Sequence, residues 1–416
     1  MVSINRADDG GVGGMRTIFD SAYTQKQNVS EFIDAIDPRD IPLLSMLGMG
    51  AEAGSASAGA DSMAFPCLNT THTWQSDELI PSKATLTDSD GSGGETVTVG
   101  TTAINYFNLN DIVTLNNVAR TYGIVTAINT SGGSMTIAAA DESETGAHGL
   151  GVNVTGQIVY NLGNLRTDGS AFTTTYSSTD LGTDFNYTQI FHDAVSVSGT
   201  SESIEKFGVT NEFDREFAKK FQELVIKLER TAHYGLLNSL PADNTSALTA
   251  RRMGGLYSFI KARTGANSTD ASDAKLTEKL LVDELQNIWN DGGKPDTILV
   301  NATQKRQLSS FASPYVRTGR DEGALGVIVG TYESEFGDLD IVLDRYVQSD
   351  DLIILTKEYV GIGALKGNGN DRSFFTTPVP VDGDRQIATI TGEYTMEVRN
   401  ATKAHGWIHG LSTTLS

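Results

Sequence analysis

Apolar side chains recur every three or four positions beyond residue 211: Phe213, Phe217, Phe221, Leu224 and Leu228, with charged residues on the opposite face. This period predicts an amphipathic helix. Asn211 can cap it, and Glu212 and Asp214 sit in the first turn, where negative charge meets the positive end of the helix dipole. About 27 residues at 1.5 Å each span roughly 40 Å, a beam that the three phenylalanines bind to a sheet. A second stripe, Leu280, Leu281, Leu285, Ile288 and Trp289, predicts a helix over 277–291 that Gly292–Gly293 ends. DTILVN (296–301) then reads as a buried strand, TQKRQLSSF (303–311) as a short helix, and 312–330 as a loop-rich tip. Strands follow at DLDIVLD (338–344), DDLIILT (350–356) and YVGIGALKG (359–367). A long terminal pair closes the chain, RQIATITGEYTMEVRNA (385–401) and AHGWIHGL (404–411).

The first 200 residues have a different texture. VSEFIDAIDP (29–38) carries a short helical signal with Ser30 as its cap and Phe32, Ile33 and Ile36 on one face. PLLSMLG (42–48) is an apolar knot around Leu43, Leu44, Met46 and Leu47, followed by the small-residue linker GAEAGSASAGAD (50–61). Residues 61–95 are extended and polar, with Phe65 and Trp74 among few large apolar groups. From 96 to 163 the pattern is purely β: TVTVG, DIVTLNN, TYGIVTAI, SMTIAAA and VTGQIVYNLG. Short alternating runs separated by turn signals predict a small barrel or sandwich. Its turn-like ends, Gly94 and Asn164, mark it as a module inserted into an extended loop that 164–200 completes.

Charge and chemistry narrow the function. The chain has 416 residues, room for two or three domains, and a net charge of −21. No Lys/Arg cluster is present to grip phosphate backbones; Arg251–Arg252 and Lys305–Arg306 read as solvated pairs. A single cysteine, Cys67, excludes a disulfide framework and a cysteine-based metal site. The polar start, MVSINRADDGGVGG, lacks a secretory signal, and no apolar run reaches the ~20 residues that span a bilayer. His72, His148, His192, His233, His405 and His409 show no HExxH or HxH spacing and read as surface or interface histidines. GxSxG and GxxxxGK[ST] motifs are absent, and no helix opens after GNGND (367–371). Asp88, Asp90 and Glu95 lack EF-hand spacing, and Asp350–Asp351 reads as a strand-edge solubiliser. Neither a catalytic site, a metal site nor a cofactor is expected.

The order of elements carries a resemblance. DAIDPRDIPLLSMLG, VSGTSESIEKFGVTNEFDREFAKKFQELVIKLERTAHYG, RRMGGLYSFI, TILVNATQKRQLSSF, YESEFGDLDIVLDRYVQSDDLIILTKEYVGIGALKG and EYTMEVRNATKAHGWIHGL resemble, in that order, the major capsid proteins of tailed bacteriophages with the Hong Kong 97 fold. The similar branch of that family carries a β module in the extended loop. The resemblance covers nearly the whole chain; 96–163 matches only as a generic β insert.

The resemblance implies an α+β fold in which 1–60 is the N-terminal arm, 61–95 and 164–200 the extended loop, and 96–163 the inserted β-barrel. It implies a peripheral domain with the spine helix at 201–292 and 386–416, and an axial domain at 293–385. Phe213, Phe217, Phe221, Leu224 and Leu228 would pack the spine helix; Ile36, Leu43, Leu44 and Leu47 would dock the arm; Phe65 and Trp74 would make extended-loop contacts. The implied function is a non-enzymatic head protein that self-assembles into an icosahedral shell of pentamers and hexamers. Its implied partners are a portal, scaffolding or cement proteins, and double-stranded DNA enclosed without specific binding. No membrane is involved; assembly would take place in the host bacterial cytoplasm and the product would be the virion capsid. About 60 residues of arm are too few for a cleaved scaffolding segment, and nothing around Lys83 supports the family's cross-link. A β-rich surface or adhesin protein is the alternative, opposed by the long amphipathic helix. A cytosolic hydrolase would need a convergent site that the sequence lacks.

Overall fold

The computed structural model describes residues 40–49, 63–65, 67–89, 96–116, 122–139, 155–169, 178–179, 181–204, 211–238, 250–311, 316–318, 329–380 and 383–414. The helical signal at 29–38, with Ile36, lies outside them. The chain forms two compact units, Gln75–Asp184 and the remainder. Five α-helices are described: α1 (Pro42–Met46), α2 (Gly199–Ser203), α3 (Glu212–Tyr234), α4 (Glu278–Asn290) and α5 (Ala302–Ser309). None is long and apolar enough to cross a membrane.

The long helix α3 starts at its expected cap: the Asn211 side chain accepts a hydrogen bond from the Asp214 N–H. It runs 23 residues and stops at Gly235. Just there the RRMGG segment crosses its end. A Cβ on Gly255 would lie 2.4 Å from the Thr231 carbonyl and 2.5 Å from that of Ala232, so only glycine fits. Leu224, Val225, Leu228 and Ala232 are buried in one core with Leu43, Leu44 and Leu47 of the apolar knot. Phe217 and Phe221 pack on its margin, and Phe213 stacks on Phe217.

That core is walled by a sheet of strands Met63–Ala64, Val360–Ala364, Arg385–Val398 and Gln189–Ser198, in this order, with Phe375–Pro378 also paired to Arg385–Val398. Strand Gln189–Ser198 pairs antiparallel along ten residues, Gln189 opposite Tyr394 through Ser198 opposite Arg385. The end of the expected extended loop is therefore a strand of the main sheet.

A second, seven-stranded sheet has the order Asn267–Asp270, Gly406–His409, Leu352–Leu355, Thr297–Val300, Gly337–Leu343, Val329–Ser334, Val316–Thr318. Val316–Thr318 and the first two residues of Val329–Ser334 fall in what the sequence reads as a loop-rich tip. Successive strand residues point to opposite faces, and here both faces are covered. Leu299, Ile353, Leu355 and Trp407 enter the core shared with α3. Ile298, Val300, Leu352, Ile354 and Ile408 enter another core with Leu281, Leu285 and Ile288 of α4. The sheet thus runs across the boundaries expected at 292/293 and 385/386.

Trp289 is a correction. It lies roughly 80° around α4 from Leu281, is 56% exposed, and meets the ring of Phe336. Glu284 takes the inward position instead, accepting a 2.6 Å hydrogen bond from the Thr269 hydroxyl. Burial raises its pKa. Gly292, at φ +90°, ends α4 where the sequence places the stop.

His405 is likewise no surface residue. It is fully buried; its Nδ1 accepts from the Thr356 N–H at 3.2 Å and its Nε2 donates to the Arg399 carbonyl at 3.1 Å. Burial holds its pKa down, to about 4. The unfolded chain therefore binds a proton that the folded one refuses, and this contribution is complete above pH ~6.5 and is lost as pH falls towards 4. The expected result is that His405→Gln is less stable than the parent in urea at pH 7, and that the gap narrows by roughly 2–3 kcal/mol by pH 4.5. A constant gap would refute the neutral buried imidazole.

The unit Gln75–Asp184 has its own seven-stranded antiparallel sheet, in the order Lys83–Thr85, Ile158–Asn164, Asp111–Leu115, Tyr122–Asn129, Ser134–Ala139, Thr96–Thr98, Asp88–Ser89. Its core holds Leu86, Val97, Ile104, Phe107, Val113, Val125, Ile137 and Val159. Two strands, Lys83–Thr85 and Asp88–Ser89, come from the expected extended loop. Between them the Leu86 N–H bonds the Gln157 carbonyl and the Thr87 N–H bonds that of Thr98, which links the two ends of the sheet.

Candidate functional site: a buried anchor at the end of the long helix

The last third of α3 turns polar groups into the core. Glu229 and His233 continue the buried stripe one and two turns beyond Val225 and are 0% exposed. Opposite them is α1, a single helical turn opened by Pro42, whose fixed φ suits a helix start. Ile41, at the cap position, has no side-chain acceptor to give. The cap comes from far away in sequence: Glu229 Oε1 accepts the Leu43 N–H at 2.8 Å and Oε2 the Leu44 N–H at 2.9 Å. A carboxylate at a helix N-terminus satisfies orphan donors and complements the dipole.

Asp344, at the end of strand Gly337–Leu343, completes the cluster. His233 Nε2 lies 2.8 Å from Asp344 Oδ2 and 3.8 Å from Glu229 Oε1, and all three side chains are fully buried. Burial works against a charged imidazole, but the hydrogen bonds and charges of Asp344 and Glu229 prevail and hold its pKa up at about 9. Asp344 Oδ1 accepts the Tyr346 N–H. Next to the cluster, Tyr234 donates to Asp351 at 3.0 Å and accepts from the Gln348 N–H. Asp351 is therefore buried, not a strand-edge solubiliser.

The three ligand-type groups lie within 4.8 Å of one another, the kind of set that holds a metal ion. Both Glu229 oxygens are already occupied by backbone N–H groups, and histidinium supplies positive charge between the carboxylates. The arrangement is an anchor: it ties segment 40–47 and loop 344–351 to the end of α3.

A second anchor lies on strand Arg385–Val398. Glu393 accepts from Thr188 Oγ1 (2.6 Å), Arg251 (2.9 Å) and Arg372 (2.8 Å). Glu397, four residues on and facing the same way, meets His72 at 2.6 Å and Arg399 at 2.5 Å. Burial lowers the His72 pKa, but hydrogen bonding to Cys67 and Glu397 outweighs it and raises it to about 9. Phe65 stacks on His72 at 4.3 Å, and Trp74 is buried against Phe259. Arg251 is thus an ion-pair partner and Arg252 bonds the Asn238 side chain; neither is simply solvated.

The structure places Leu43, Leu44 and Leu47 beside α3, and Leu224 and Leu228 in the same core. Sequence reasoning missed Glu229, His233 and Asp344. The available signal was an acid and a histidine four apart on the apolar face of a helix. Nothing local points to Asp344.

The family model of the SU10 major capsid protein matches residues 11–412. The chain belongs to this family. It is a structural protein of a phage capsid, a shell built of copies of one subunit. The capsid protein is similar to the capsid asymmetric unit of cyanophage A-1(L), at 10% identity, 95% of this chain, 100% of that one and a TM-score of 0.51. That likeness is one of mixed helix-and-strand fold. Structures from Mycobacterium phage Adephagia (9% identity, 97% and 100% coverage, TM-score 0.46) and Microbacterium phage Oxtober96 (10%, 94% and 98%, 0.47) are also similar. No curated protein matches the capsid protein.

Proposed function

We propose that the capsid protein has a Hong Kong 97-type subunit and self-assembles, through pentamers and hexamers, into the icosahedral head of a tailed phage. The supporting observation is the long helix α3 lying on the sheet of the terminal strand Arg385–Val398, with a compact β unit between residues 75 and 184. In this reading 1–60 is the arm, 61–95 and 164–200 the extended loop, and 96–163 the inserted β-barrel, whose sheet is extended by two strands of the loop and linked end to end through Leu86 and Thr87. Residues 201–292 and 386–416 make the peripheral domain and 293–385 the axial domain, joined through the sheet that both cores share. Phe213, Phe217, Phe221, Leu224 and Leu228 pack the spine; Ile36, Leu43, Leu44 and Leu47 dock the arm; Phe65 and Trp74 serve the extended loop.

The role is structural and non-enzymatic. The shell encloses double-stranded DNA without specific binding, as its net charge of −21 suits. A portal and scaffolding or cement proteins are the other partners, in a host bacterial cytoplasm. Obligate interfaces of this kind bury more than ~2,000 Å², and many of them act together by multivalency. The test is size-exclusion chromatography and negative-stain microscopy of the protein expressed in bacteria. Shells, tubes or capsomer rings at the void volume are expected. A small species that stays unassembled when the phage head proteins are co-expressed would overturn the reading.

A further inference from the structure

Segment 40–47 is held by polar contacts of an unusual kind. Its backbone donors meet Glu229, and Glu229 shares its fully buried surroundings with a second carboxylate, Asp344. Two like charges at such range in a low-dielectric interior repel strongly. The other charged groups around them are engaged elsewhere, and Tyr346, whose pKa burial raises, is the further titratable group facing both carboxylates. On α3, Arg230 lies over the Tyr346 ring at 5.2 Å, and Tyr234 bonds Asp351. On the loop, Arg345 pairs with Asp40 of the arm, at the surface. Among the described residues, the positive charge between the carboxylates is that of His233. Its buried Nδ1 has no hydrogen-bond partner among the described residues, so protonation is supported from the Nε2 side, by the two carboxylates.

We propose that His233 is a proton-operated latch for the N-terminal segment: with the proton on, Glu229 holds α1; with it off, Glu229 and Asp344 repel and α1 is released. The direction follows from the raised imidazole pKa of about 9. A group whose folded pKa is raised contributes fully below its unfolded value near 6.5, and its contribution is lost as pH rises through the folded value. The latch is therefore shut at neutral pH and opens in alkali.

The test is subtilisin digestion of the full-length protein from about pH 7 to 10. Mass spectrometry scores cuts at the bonds of Leu43–Leu47, normalised to cleavage of a free peptide of residues 40–49. Cuts within strand Thr297–Val300 report global unfolding. For the parent, cutting at 43–47 is expected to rise ~10-fold or more across the range while the strand stays intact. His233→Ala should be cut at the high rate already at pH 7. Asp344→Asn, which removes the repulsion and leaves Glu229 on α1, should change less than ~2-fold across the range. A flat parent profile, or cuts at 43–47 and 297–300 that rise together, would overturn the latch. So would an Asp344→Asn profile identical to the parent's, even if His233→Ala fails to fold.

Discussion

Glu229→Ala is expected to destabilise the unassembled capsid protein by about 3–5 kcal/mol, measured by urea unfolding at pH 7. The change removes two charge-assisted hydrogen bonds to the Leu43 and Leu44 N–H groups, each of a class worth about 1.5–3 kcal/mol. It also strips the cap from a helix with none of its own, and with it the anchorage of Leu43, Leu44 and Leu47, all 0–1% exposed. Glu229→Gln should recover part of the loss, because one amide oxygen still accepts while the NH₂ faces the second donor. A loss below ~1 kcal/mol for the alanine variant would mean that the apolar knot docks without its cap.

The two tryptophans late in the chain should behave oppositely. Trp407→Ala is expected to cost about 3–5 kcal/mol, the range for a fully buried large aromatic. Its ring is 0% exposed and meets Tyr234 and Tyr257 edge-on at 5.9 and 6.0 Å. It also pairs with Ile353 across the antiparallel strands. Trp289→Ala, by contrast, should cost less than ~1 kcal/mol, since it exposes little beyond Phe336. Equal losses for both would show that the inward face of α4 is misassigned.

Those two residues mark how far local pattern reaches. The stripe Leu280, Leu281, Leu285, Ile288, Trp289 locates α4 to within a residue, yet it cannot say which edge faces inward. A polar residue with a partner, Glu284 with Thr269, outcompetes an aromatic for the interior position. The histidines show the same limit. His405 and His233 carry no motif, and only their surroundings make one neutral and the other a cation.

The sequence by itself determined most of the elements and their order: the cap at Asn211, the period of α3, the stop at Gly292, the β texture of 96–163 and the family these compose. Such features are set by contacts within a few residues, so they survive in a one-dimensional reading. Tertiary structure alone decided which strands share a sheet and which face each side chain takes. Thr297–Val300 is buried throughout, so no alternation in its sequence reveals that Leu299 serves one core and Ile298 and Val300 the other. The anchor is more distant still: Glu229 meets Leu43 across 186 residues and His233 meets Asp344 across 111. Buried charges persist only where partners converge on them from elsewhere in the chain, and that convergence is a property of the fold.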